Sequence, residues 1–238
     1  MKHIKYLAIL SLLFLFSCKD DEVSPASSNV AFQITIQSQE DLDNTDFNQI
    51  DTIKGPLTIR NTSITDLSFL RDICVTGLIE IFGNESLTSL NGIERLSCVK
   101  SLVIAQNENL RDIQALNNLA ISEDLIIRNN GLEKIDPINS IDNISEQIFI
   151  NEPNLDNYEL LENLIEIKSL VLGGSLAENL DALVNLERIE SELRITGNQK
   201  LTDYCGIKNT LSNSGLIIFE TLGNQINPTV IEIVDECE

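Results

Sequence analysis

The sequence contains no tryptophan, one methionine and one histidine, and aromatic residues make up only 5% of it. The histidine is His3, inside an N-terminal stretch set apart below. The rest of the chain therefore has no imidazole to serve as a base for a nucleophile or as a metal ligand. Bases are scarce too: lysine and arginine total 16 against 37 acids, a formal charge of −21. A field of that sign repels phosphate backbones, which argues against nucleic acid as a partner. Phosphate-cradling glycine loops are missing, and Gly173-Gly174 reads as a tight corner. Carboxylate pairs such as Asp20/Asp21 and Asp41/Asp43 fall near the N-terminus, and nothing collects acids in the way a glycosidase needs. The expectation is a non-catalytic protein with no cofactor and no metal, its acidity serving solubility.

What the chain has in quantity is aliphatic side chains at a fixed period. Ser101–Leu119, SLVIAQNENLRDIQALNNL, shows the unit: a short strand around Leu102-Val103-Ile104, a turn, then Leu110, Ile113, Leu116 and Leu119 at three-residue spacing. That spacing suits a tight coil, a 3₁₀ turn or a helical fragment. Anchors equivalent to Ile104 are Ile36, Ile59, Ile81, Ile127, Ile150, Leu172, Ile195 and Ile218, 22 or 23 residues apart. Another aliphatic stands two residues before each, from Ile34 to Leu216. A period of this length over nine units predicts one elongated, β-rich solenoid rather than two globules. Three residues after the anchor stands Asn84, Asn107, Asn130 or Asn198. An inward Asn amide at a corner satisfies backbone groups of its neighbours and stacks into a ladder. Ser175–Asn179 breaks the pattern, so a bulge is expected there.

Strand alternation sends the residue between the paired aliphatics outward. These are Thr35, Thr58, Glu80, Val103, Ile126, Phe149, Val171, Arg194 and Ile217, followed by a second column containing Gln37, Arg60, Phe82, Ala105, Arg128, Asn151, Gly173, Thr196 and Phe219. Solvated columns should be polar, yet Val103, Ile126, Phe149 and Val171 run together beside Phe82 and Ala105. Three readings follow: a face for a partner protein rimmed by Arg60, Arg128 and Arg194, a homodimer contact, or a surface covered by a loop or kept apolar for strand propensity.

The N-terminus, MKHIKYLAILSLLFLFS, has a basic start and an apolar run from Tyr6 to Phe16. The run is too short to span a bilayer and fits a secretory signal over residues 1–17. Val23–Val30, VSPASSNV, reads as a tether. Five cysteines are present. If Cys18 is set aside, Cys74 and Cys98 lie one unit plus one residue apart, and Cys205 and Cys237 bracket the last unit. Three pairings are possible, and the spacing favours these two. Zinc is a poor rival without histidine or a Cys-x-x-Cys pair. At the ends, Ser38–Lys54 should wrap the first unit, and a helix begun by Asn227-Pro228 should plug the last with Val230, Ile231, Ile233 and Val234.

Two resemblances add to this. Leu15-Phe16-Ser17-Cys18 resembles the lipobox of bacterial lipoproteins, which implies acylation of Cys18 and firm membrane anchorage. Lys19-Asp20-Asp21-Glu22 resembles the acidic export signal of Bacteroidota surface lipoproteins, which implies the outer membrane and the cell surface. The Asn-x-x-Leu spacing of Asn107–Leu110 and Asn84–Leu87 is similar to receptor L domains within the leucine-rich repeat group. That resemblance implies a right-handed β-helix-like solenoid over residues 31–220, a cap over 221–238, and a role in binding or adhesion. The partner expected is an unidentified protein, with glycan a lesser option and the oligomeric state open. A structural accessory role in an outer-membrane assembly is the alternative.

Overall fold

A computed structural model describes residues 29–70, 72–213, 215–216 and 218–237. The signal segment and Cys18 lie outside the described residues. Twelve strands in the described part form two parallel sheets. The small sheet holds β1 (Val30–Ala31), β3 (Thr52–Ile53) and β5 (Cys74–Val75). The large one holds β2 (Ile34–Ile36), β4 (Leu57–Arg60), β6 (Leu78–Phe82), β7 (Val99–Ala105), β8 (Ile121–Arg128), β9 (Gln147–Asn151), β10 (Glu166–Gly173), β11 (Arg188–Thr196) and β12 (Ile218–Leu222).

Every strand of the large sheet pairs with the next one in sequence, as a β-solenoid-like fold requires. The partners are 22 or 23 residues apart up to β11: Ile34 with Leu57, Leu57 with Ile79, and so on to Leu170 with Leu193. Each strand is rich in β-branched and other aliphatic residues that suit a half-buried pleat. The inward pair of each strand carries the core: Leu102 and Ile104, Ile148 and Ile150, and Leu193 and Ile195 are all fully buried. Between strands, Leu110, Ile113, Leu116 and Leu119 are buried as well. Their spacing resolves as 3₁₀ turns, with Leu116 N–H on the Ile113 carbonyl at 3.0 Å and Leu119 N–H on Leu116 at 3.1 Å. Three residues per turn keep the same edge inward.

The last strand departs from the expected register. Leu193 pairs with Phe219 and Ile195 with Thr221, an offset of 26 residues. Helix α2 (Lys208–Asn213; α1 is Gln39–Asn44) stands on the path to β12, where earlier units make only a short turn such as Asp181–Leu183, and it takes up the extra residues. Ile218, expected inward, is therefore 39% exposed, and Phe219, expected outward, packs against the core. Ile217 lies outside the described residues. β12 also runs two residues beyond the expected 220/221 boundary.

At the first end, Ser38 caps α1 by accepting the Asp41 N–H at 3.1 Å. Leu42 and Ile50 pack on the core, and Phe47 stacks at 4.9 Å on Phe69. At the other end, α3 (Val230–Glu236) is capped by Thr229 rather than Asn227, in a reciprocal box with Glu232. Ile233 is buried, with Val230 and Val234 packed beside the core, but Ile231 points out at 72% exposure. Both expected disulfides form: Cys74–Cys98 with Cα atoms 5.2 Å apart and Cys205–Cys237 with 5.3 Å. Exposed ion pairs such as Lys100–Glu123 at 2.7 Å link neighbouring strands, and pairs of that kind add little stability.

Candidate binding face

Behind the strands runs the polar ladder that fixes their stacking. Asn84 N–H and Nδ2 donate to Asn107 Oδ1 at 3.0 and 3.2 Å, and Asn107 N–H and Nδ2 donate to Asn130 Oδ1, both at 3.0 Å. Each amide also reaches a strand carbonyl: Asn107 Nδ2 donates to Ile81 and Ala105, Asn130 Nδ2 to Ile104. All these side chains are buried. The residue before the ladder position is left-handed at Gly83, Gln106 and Asn129, with φ of 65°, 55° and 51°, and that turn swings the next side chain inward.

Two members of the ladder are invisible to a search for Asn. Glu152 occupies the sixth position, wholly buried, and its carboxylate accepts Asn130 N–H at 3.0 Å and Asn130 Nδ2 at 2.7 Å. It follows its anchor Ile150 by two residues instead of three. The corner is one residue short, and the extra methylene of Glu makes up the reach. Ser175 takes the seventh position, donating from N and Oγ to Asn198 Oδ1 at 3.0 and 2.8 Å. Tyr158, fully buried, points its hydroxyl at the same oxygen from 2.9 Å and fills the space that the short serine leaves. The expected bulge at this corner is absent: Leu172–Ile195 and Gly173–Thr196 stay in register, and the shift lies upstream between Ile167 and Ser169. Asn224 and Asn227 finish the ladder, so Asn227 serves there and not as a helix cap.

Burial pushes the Glu152 carboxyl above its ordinary 4.5, opposed by the donors of Asn130 and Leu132. A raised carboxyl means that the folded chain binds this proton more tightly than the unfolded chain. Its contribution to stability is complete below the ordinary value and is lost as pH rises through the folded pKa. The melting temperature should therefore fall between pH 5 and pH 8 more steeply in the native chain than in Glu152→Gln. Melts across that range check this, and equal slopes would contradict it.

The opposite side of the strands is the outward face. Its central column is Thr35, Thr58, Glu80, Val103, Ile126, Phe149, Val171 and Arg194 in unbroken register, ending at Glu220. Val103, Ile126, Phe149 and Val171 are half-buried and lie outside the core cluster. In a parallel sheet, neighbours about 4.8 Å apart shield one another while their tips stay in solvent. The four span roughly 15 Å along the stack.

The second column places Arg60, Phe82, Ala105, Arg128 and Asn151 in register. Ala105 is corrected from exposed to fully covered: its one methyl sits level between Phe82 and Arg128 and contributes no free surface. Arg194 is corrected as well. It pairs with Glu192 and, at 3.0 Å, with Glu220, so it is a neutralised end to the stripe rather than a free rim cation. Arg60 donates to Gln37 at 3.3 Å. A third outward column was missed because the strands are longer than the three residues assumed: Ser101, Asp124, Gln147, Ser169 and Glu192. Ser101 Oγ donates to Asp124 at 2.8 Å and Ser169 Oγ to Glu192 at 3.1 Å.

Among the described residues no group of three His, Cys, Asp or Glu side chains is placed to hold a metal, and no helix is long and apolar enough to cross a membrane. A scan against models of known protein families finds no match, and a search of curated proteins finds none.

Proposed function

We propose that this chain is a non-catalytic binding or adhesion module built on a right-handed, receptor L-domain-like solenoid of about nine coils. The same reading has Cys18 acylated and the module anchored to the outer membrane, facing the cell exterior. One observation carries the binding role. The interior is complete without Val103, Ile126, Phe149 and Val171, yet these four stand in register on the solvent side between two polar columns. Contiguous apolar surface of that kind marks an interface, and a protein partner suits it better than a glycan because no tryptophan offers a stacking platform.

Crosslinking and pull-down from intact cells, with the native chain beside Phe149→Asp and Ile126→Asp, is the test. Burying a charge against the partner should cut recovery more than tenfold, as loss of an interface hot spot does. Full recovery with both variants would retire the face.

A further inference from the structure

Resting on that reading of the face, we infer that the element it receives is one amphipathic α-helix of a partner protein, laid across the strands along the stacking direction. The spacing selects it. Four apolar side chains about 4.8 Å apart span three intervals, roughly 14 Å. A helix brings one side chain to the same edge per turn of about 5.4 Å, so three turns cover roughly 16 Å and keep all four contacts. An extended strand repeats on one face at about 6.6–6.8 Å, roughly 20 Å over three intervals, and loses register after the second. A polyproline helix, at about 9.3 Å per turn, misses alternate positions.

Width and charge agree. Three outward residues of one strand cover roughly 13 Å, close to the 10–12 Å diameter of a helix with its side chains. β8 presents Asp124, Ile126 and Arg128 abreast, so the helix edges pass over an acid on one side and a base on the other. Asp124 is bonded only to a serine hydroxyl, and among the described residues neither Glu80 nor Arg128 has an ion-pair partner. The complementary helix has apolar residues at i, i+4, i+7 and i+11, a base over Asp124, an acid over Arg128 and a base one turn beyond Val103 over Glu80. The charge of −21 favours a helix with net positive charge. A second copy of this chain fits less well: four strands by three columns make roughly 200 Å², against the roughly 800 Å² per partner of a standard stable interface.

The experiment places p-benzoylphenylalanine in turn at Val103, Ile126, Phe149 and Val171 of the full chain in cells that make it, then maps the adducts after irradiation. All four should fall in one partner segment, advancing three or four residues per position. The double reversal Asp124→Lys, Arg128→Glu should lower adduct yield at least tenfold with the melting temperature unchanged. An advance of two residues per position, or adducts on this chain itself or on lipid or glycan, overturns the helix and leaves the face standing. No adduct from any position overturns both.

Discussion

Asn107→Ala should destabilise the protein by about 4 kcal/mol, because several buried groups lose partners together. Asn107 Oδ1 accepts both N–H and Nδ2 of Asn84. Its own Nδ2 serves the Ile81 and Ala105 carbonyls and Asn130 Oδ1. Alanine keeps the backbone and strands these groups away from water, at about 1–3 kcal/mol each before relaxation. In a domain of this size that corresponds to a melting temperature lower by roughly 8–16 °C. Thermal and urea melts measure it, and a change under 1 kcal/mol would mean that the ladder is not what holds the strands together.

Cys205→Ala with Cys237→Ala is the second large effect, at about 3.7 kcal/mol. The bond joins residues 32 apart in sequence. Opening a loop of that length restores the conformational freedom of the unfolded chain by about that amount. It also frees the end of α3, whose Ile233 closes the last core position. Nothing follows β12 in the large sheet, so the undocked helix leaves Phe219 and Ile207 open to water. Urea titration of the double variant checks the magnitude. Hydrogen exchange should show the loss beginning at β12, whereas uniform loss along the chain would contradict the capping role.

The repeating part of this architecture was legible because periodicity reports stacking directly. A residue that must be inward in one strand must be inward in its neighbour, so the anchors from Ile36 to Ile195 declared the register without help. The failures share one cause, a change of length that side-chain chemistry absorbs. At Glu152 the corner loses a residue and the side chain gains a methylene. At Ser175 the side chain shortens and Tyr158 from the previous unit fills in. Before β12 a helix lengthens the path, so an apparently correct pair, Leu216 and Ile218, lay three residues early. The small sheet went unseen because strands of two residues, such as Thr52–Ile53, carry no alternation to read. On the face, the Val103–Val171 column was legible from alternation alone. The pairing of Arg194 with Glu192 and Glu220 was not, because it depends on which carboxylates arrive from three strands.

The account divides the strands into an inward ladder that holds them and an outward column that is free to bind. The melting temperature of Phe149→Asp tests that division most directly. If the side chain stands on the solvent side, the change costs at most about 1 kcal/mol of strand propensity, and the midpoint stays within about 4 °C of the native value. A fall of 10 °C or more, matching Asn107→Ala, would place Phe149 in the core and contradict the face.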